Sequence, residues 1–145
     1  MIAELSALRT ILGAPGAIQA GVTVPVVIGD ATGHRPPFVV LWGVTGVGDG
    51  DESVSGPCGA WTAPAGVTCT GQDPEAALAL MEAVRGVIAP DMTPTVLPGV
   101  TGRHVVVDLT DARAVQVDRT VTLTTTGTHP AYGVLLLDIH SAPTT

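Results

Sequence analysis

A run of apolar residues at steps of three and four predicts one long amphipathic helix near the middle of the chain. Asp73 precedes the run as an N-cap, Pro74 takes the first helical position, where a missing N–H costs nothing, and Pro90 ends the pattern. The β-branched residues of 67–71 predict a strand directly before it. The helix is expected over about residues 74–89, and its apolar face is formed by Ala77, Leu80, Met81, Val84, Val87 and Ile88.

Shorter apolar patterns predict three elements in the N-terminal part. Residues 1–12 predict a short helix with Leu5, Leu8 and Leu12 on one face and Ile11 beside them, and Gly13 is the expected left-handed terminator. Residues 22–28 are rich in valine but contain Pro25, which cannot donate to a ladder and predicts an edge strand. Residues 38–44 are continuously apolar and predict a central strand that is covered on both faces.

The C-terminal part predicts strands and turns. Residues 103–109 are expected to form a strand that a turn at 110–114 ends. Valine and leucine then alternate with polar residues from 115 to 124, and an apolar strand over 132–139 follows a turn at 127–130. Residues 115–140 are therefore predicted to form a long antiparallel hairpin.

Together these elements predict the α+β class. We expect a mixed, mostly antiparallel sheet that is covered on one side by the long helix at about 74–89 and by the short N-terminal helix. A chain of 145 residues fits a single domain, here residues 1–145.

Residues 45–59 interrupt the apolar pattern with glycine, aspartate and serine. Asp49, Asp51 and Glu52 lie at the centre of this segment. Loops of this length in a compact domain are usually functional. The sequence therefore predicts a long exposed loop that serves as a contact arm.

Composition narrows the function classes. The net charge is −7 and the pI is about 4.7, which argues against tight binding to nucleic-acid phosphates. An acidic surface would instead let DNA pass without sticking. No apolar run approaches the roughly 18 residues of a membrane span, and no secretory pattern starts the chain, so assembly in the cytoplasm is expected.

No motif in the chain predicts catalysis, a cofactor or a metal site. The glycines of 43–50 lack the lysine that a phosphate-binding loop requires, and the chain contains no lysine at all. The loop carboxylates lack the ligand spacing of an EF-hand, and the four histidines are scattered. Cys58 and Cys69 have no second pair for zinc; they are expected to be free thiols, although a disulfide across a hairpin is geometrically possible.

Two tryptophans and the arginines are the remaining contact candidates. Trp42, in an apolar strand, is expected in the core. Trp61 follows the loop and fits either a lid on the core or an interface anchor, since tryptophan is enriched in interface hot spots. Arg103 and Arg119 fit either contacts between subunits or pairs within one chain.

The order of these elements resembles the tail terminator, or tail completion, proteins of long-tailed bacteriophages of the siphovirus type. The resemblance is carried by the short N-terminal helix, the strand after Pro37, the loop insertion, and the strand at 67–71 that leads into the helix. It continues through the connector at 98–103, the segment 114–119 and the last strand, which ends at 141–143.

The resemblance implies a structural virion protein without enzymatic activity at the head-tail junction. A homohexameric ring of such subunits caps the tail tube, ends its growth and joins it to the head connector, and genome DNA passes through its lumen. The implied partners are the major tail tube protein and the connector or stopper protein. Candidate interface residues are Asp49, Asp51, Glu52, Trp61, Arg103 and Arg119.

Two other interpretations stay open. One is a neighbouring neck protein, such as a connector stopper or a minor tail subunit. The other, from a different class, is a small acidic ligand-binding or adaptor domain.

Overall fold

The structure is a computed structural model, and it describes residues 1–18, 23–44, 47–48 and 59–144. Two helices and seven strands lie in these ranges. The helices are α1 (Ile2–Leu12) and α2 (Pro74–Ile88). The strands are β1 (Val26–Ile28), β2 (Phe38–Gly43), β3 (Val47–Gly48), β4 (Trp61–Gly71), β5 (Thr95–Leu97), β6 (Arg103–Val117) and β7 (Ala131–Pro143).

All seven described strands belong to one sheet. Six of them follow the order β1-β2-β4-β7-β6-β5, and β3 pairs with the first residues of β4. Only β1 and β2 are parallel; the other described pairs are antiparallel. The six strands curl into a half-barrel.

The predicted α+β class, a sheet covered on one side by one long helix, is wrong. Strands make up 40% of the structure and helices 21%. The helix at 74–88 does form, but its 15 residues extend about 22 Å, whereas the 15 residues of β6 extend about 50 Å. The helix therefore covers only part of a sheet whose long strands and curl determine the fold.

The side of the sheet that packs against the helices, here called the core face, contains the hydrophobic core. Alternate residues of β2, β4 and β7 are buried there, together with Leu5, Leu8 and Leu12 of α1. Gly133 lies on this face, where an added Cβ would overlap the Met81 side chain. The sheet can thus approach α2 closely only because residue 133 has no side chain.

The other side of the sheet, here called the open face, carries half-buried and exposed residues. It includes Trp42, whose indole nitrogen donates to Thr68 Oγ1 at 3.2 Å. Trp42 is half-buried, so its predicted place in the core is wrong. Buried and half-buried residues alternate along β2, so the prediction that both faces of this strand are covered is wrong. The reason is that neither described helix packs on the open face.

The start of α2 confirms the local prediction. Asp73 Oδ1 accepts a hydrogen bond from the Ala76 amide at 2.8 Å, and Pro74 begins the helix. The predicted left-handed conformation of Gly13 is wrong, since its φ is −83°. The Gly13 amide continues the helical pattern by donating to the Arg9 carbonyl at 2.8 Å.

The strands of the C-terminal part differ from the prediction in three ways. The expected turn at 110–114 is part of one continuous strand, β6, which absorbs extra residues in two register shifts. The expected strand at 118–124 is a turn, because the Asp118 carboxylate accepts from the Thr120 amide and hydroxyl at 3.0 and 2.6 Å. The connector after α2 contains an unpredicted strand, β5.

Pro64 lies inside β4, a strand with neighbours on both sides. Its carbonyl accepts from the Val44 amide at 3.4 Å, just after β2 ends. The amide and carbonyl of one residue point to the same neighbouring strand, so the missing N–H falls where β2 has stopped and β3 has not begun. The sheet therefore accepts this proline without losing a ladder bond.

Candidate functional site

Two of the predicted interface residues, Trp61 and Arg103, meet at one end of the sheet. Trp61 is the first residue of β4 and Arg103 the first of β6, while β7 between them brings Ser141 opposite Trp61. The guanidinium carbon of Arg103 lies 5.9 Å from the centroid of the Trp61 ring, within cation–π range. We call Glu4, Trp61, Arg103 and Ser141 the Arg103 cluster.

Arg103 connects several elements through its guanidinium group. Its Nε donates to Ser141 Oγ, and Nη2 donates to the Ser141 carbonyl at 3.0 Å. Nη2 also donates to the Gly59 carbonyl at 2.7 Å. The planar fork of arginine suits this multiple contact, which a lysine ammonium could not reproduce.

Glu4 supplies the negative charge of the cluster. It is buried, with 2% of its surface exposed. One carboxylate oxygen, Oε1, accepts from Ser141 Oγ at 3.0 Å and lies 3.8 Å from Arg103 Nε. The other, Oε2, lies 2.8 Å from the Met1 ammonium nitrogen.

The pKa of Glu4 is lowered below its ordinary value. Burial alone would raise it, but hydrogen bonds from the Met1 ammonium, the backbone and Ser141, together with the charge of the ammonium, outweigh burial. Glu4 is therefore an ionised, fully bonded carboxylate. Such a group stabilises the fold and is a poor general acid at neutral pH.

The same end of the sheet holds both ends of the predicted contact arm. Within the predicted arm of residues 45–59, Val47 and Gly48 form the short strand β3 and pair with Thr62 and Trp61 of β4, so the prediction of a loop is wrong at these two residues. At the other end of the arm, the Gly59 carbonyl is bonded to Arg103. Residues 49–58, with Asp49, Asp51 and Glu52, lie outside the described residues, and so does Cys58.

The remaining candidate, Arg119, does not join the cluster. It is exposed in the turn that follows β6. Arg113 is also exposed and lies 3.7 Å from Asp111 on its own strand. Arg103 was expected to make either contacts between subunits or pairs within one chain. The bonds described above lie within one chain. A role of Arg103 in contacts between subunits stays a prediction.

Sequence reasoning missed Glu4 and Ser141. They are 137 positions apart, and neither has a motif. One signal was present: Glu4 is a carboxylate between the apolar residues of a short amphipathic helix, where an acid needs a partner.

Other reactive groups give no second site in the described residues. No cluster of three or more His, Cys, Asp or Glu side chains that could hold a metal occurs in this part of the chain. Cys69 is buried in β4, and burial raises the pKa of its thiol to about 12. His140 Nδ1 is 2.8 Å from Thr62 Oγ1 on the open face, with no nucleophile arrangement around it.

A cavity of about 370 Å³ lies at the opposite end of β4 and β7 from the Arg103 cluster. It is lined by aromatic and charged side chains, among them Arg35, Phe38, Asp118 and Tyr132. The Tyr132 hydroxyl donates to Gln116 Oε1 at 2.9 Å at its edge. This cavity is the best candidate in the described residues for a small ligand.

Comparisons with known proteins add no family assignment. None of the described helices is long and apolar enough to cross a membrane. A scan against protein-family models finds no match to the sequence, and a search of curated proteins finds no similar sequence.

Proposed function

We propose that this protein is a structural, non-enzymatic subunit of the neck of a long-tailed bacteriophage, of the tail terminator type. It assembles into a ring, a homohexamer, at the head-tail junction of the virion. The ring caps the tail tube, ends its growth and joins it to the head connector or stopper protein. Assembly takes place in the host cytoplasm.

The observation that carries this proposal is the position of the Arg103 cluster, which lies at the end of the sheet where the described residues on either side of 49–58 are held. The contacts of Arg103 tie Gly59, β6 and β7 together, and β3 holds the other end of the segment beside Trp61. A segment whose two ends are fixed on a rigid sheet is well placed to contact a partner protein. The charged groups of the cluster are bonded to one another, to Met1 and to Gly59, which suits support rather than chemistry.

Charge supports the lumen part of the proposal. Each subunit carries a net charge of −7, and the ring multiplies it. On the open face, Asp108 and Asp138 lie directly opposite each other on β6 and β7. An acidic lumen repels DNA phosphates within a Debye length of about 8 Å, so the genome slides without sequence-specific binding.

The first test is assembly with the tail tube. We expect native mass spectrometry and negative-stain electron microscopy to show six-fold rings, alone or at the ends of tubes of the major tail protein. Tubes should stop growing when this protein is added. A stable monomer that has no effect on tube length would contradict the proposal, whereas binding to the connector alone would favour a stopper.

The arm is tested by removing its charge. The triple variant D49N/D51N/E52Q should keep the fold and lose capping of tubes, because the arm then lacks its polar contacts. A control variant on exposed acids elsewhere, E75Q/D91N, should cap tubes as the unchanged protein does. Equal capping by both variants would contradict the role of the arm.

The 370 Å³ cavity favours one rival function, a small ligand-binding or adaptor domain. Its aromatic rings and opposite charges suit a small zwitterionic molecule. Thermal shift screening with amino acids and short zwitterionic peptides would support this rival if one ligand stabilised a protein that never forms rings.

A further inference from the structure

We infer that copies of this chain join edge to edge, with β1 of one copy pairing with residues 111–113 of β6 in the next. The inference deepens the proposed ring, on which it rests, by naming the two strand edges that meet. Strand β1 is at one end of the sheet, and residues 108–117 of β6 extend past the short strand β5 near the other end, so both have unpaired sides among the described strands.

The outer edge of β1 is available for pairing. Within the parallel pair, the Val39 amide bonds the Pro25 carbonyl at 2.9 Å and the Gly29 amide bonds the Leu41 carbonyl at 2.8 Å. Residues 25, 27 and 29 therefore point their backbone groups toward β2, and those of Val26 and Ile28 point away. On that outer side the Ile28 carbonyl accepts from the Asp30 amide at 3.0 Å, and both backbone groups of Val26 stay open to a neighbour among the described residues. Pro25 has its missing N–H on the inner side and does not block the outer edge.

The matching edge lies on β6. Strand β5 pairs only with Val105, Val106 and Val107, so residues 108–117 have no described strand on that side. The two register shifts of β6 leave one short regular stretch, 111–113, paired in step with 136–134 of β7. This three-residue stretch equals β1 in length. Its Ala112 amide is bonded to Asp111 Oδ1 at 2.8 Å, so an added strand takes the place of that local bond.

The third free edge, the outer side of β5, is less suitable. Pro94 and Pro98 flank β5 closely, and prolines at a sheet edge hinder the addition of another strand. The edges of β1 and 111–113 have no proline at an outward amide.

The neutral charge of the two edges favours a second copy of this chain as the partner that pairs with them. A chain of net charge −7 repels its own copies unless the contact surfaces are neutral. Residues 23–29 contain no charged side chain, and the two charges of 111–113, Asp111 and Arg113, lie 3.7 Å apart and neutralise each other. These two edges can therefore meet without bringing like charges together.

An apolar groove beside residues 111–113 provides further surface for the neighbouring copy. It has a volume of about 490 Å³ and lies between α2 and β6. Leu78 and Met92 at its walls are 54% and 67% exposed. A strand added at this edge would cover them, which removes apolar surface from water.

The geometry predicts a ring rather than a two-fold dimer. The two edges lie at opposite ends of one sheet, so each copy uses a different surface toward each neighbour. Head-to-tail contacts of this kind close into rings when the rotation per copy allows it.

Cysteine cross-linking tests the pairing. In a Cys58→Ser background, the double variant V27C/A112C, which keeps Asp111 and Arg113 in place, is treated with a short bis-maleimide that tolerates a shift in register. The buried Cys69 stays unmodified. We expect a ladder of covalent multimers that ends at the closed ring. The matched control V27C/T125C, with its second cysteine on an exposed turn, should give no ladder.

The other outcomes distinguish failure of this inference from failure of the proposed function. Covalent dimers from V27C alone would indicate pairing of β1 with β1. Rings seen by native mass spectrometry without a ladder would mean that another surface joins the copies, and the proposed function would stand. A ladder from a protein that never caps tubes would support the pairing and refute the proposed function. If circular dichroism shows that V27C does not fold, Thr23→Cys replaces it.

Discussion

The indole of Trp42 lies directly over Gly66 of the neighbouring strand. A Cβ built on Gly66 would overlap Cζ2 and Cε2 of the ring. The same ring is fixed by the hydrogen bond from its nitrogen to Thr68. Residue 66 must therefore be glycine, because the Trp42 ring lies against its backbone on the open face.

Substitution of Gly66 by alanine should destabilise the protein. The Trp42 ring would have to move and lose its bond to Thr68, at a cost of about 1–3 kcal/mol. Urea denaturation followed by circular dichroism measures the change. The control G86A lies on an exposed position of α2 with no atom near the new methyl group, and should stabilise by about 0.5–1 kcal/mol. Equal effects of G66A and G86A would contradict the packing.

The sequence could predict those parts of the fold that depend on neighbours in the chain. The N-cap of α2 was readable because Asp73, Pro74 and the apolar face lie within one short segment. The edge position of β1 followed from Pro25, and β1 is indeed at one end of the strand order.

Features that depend on competition or distance could not be predicted. The alternation at 118–124 resembles a strand, but the Asp118 side chain offers the backbone a turn instead. The bulges of β6 depend on how β7 pairs with it. The candidate site could be predicted only in half. Trp61 and Arg103 were candidates because tryptophan and arginine are frequent in interfaces. Glu4 and Ser141 acquire their role from a contact between the two ends of the sequence.

Arg103→Lys should destabilise the protein and change the environment of Trp61. Lysine cannot bond Ser141 and Gly59 at once, and the loss is expected to be about 2 kcal/mol. In a Trp42→Phe background, the fluorescence of Trp61 should shift when Arg103 is replaced by lysine. The matched control is R113K, whose exposed pair with Asp111 is expected to contribute less than about 1 kcal/mol. An unchanged Trp61 signal in R103K would show that the two side chains do not stack in solution.

Glu4→Gln should remove part of the acid sensitivity of the fold. Because the pKa of Glu4 is lowered in the folded state, its ionised form stabilises the protein above its unfolded value of 4.5, and this contribution is lost as the pH falls through the folded value. At pH 7 the variant should be less stable by about 2 kcal/mol, since the Met1 ammonium loses its charged partner and Ser141 loses its charged acceptor.

The measurement for Glu4 is the free energy of unfolding between pH 7 and pH 3. The difference between the unchanged protein and E4Q should narrow below pH 4.5. The control for the acid-to-amide change is E75Q, on the exposed first turn of α2, which should be as stable as the unchanged protein at pH 7. Asp30 and Asp118, whose pKa values are lowered by bonds from Thr32 and Thr120, continue to titrate in all three proteins and set the common background.

Cys69 should report opening of the core. Its thiol is buried, and burial raises the pKa to about 12. At pH 8 only about one thiol in ten thousand is therefore ionised in the folded state, whereas roughly a quarter of free thiols are ionised at this pH. In a Cys58→Ser background, labelling by a thiol reagent should therefore be slow and should require transient unfolding. G66A should accelerate this labelling by the factor that its loss of stability predicts, about tenfold for each 1.4 kcal/mol if the opening is global. Fast labelling of the unchanged protein at pH 8 would show that β4 opens locally, and the packing of Cys69 between the helices and the sheet would then be wrong.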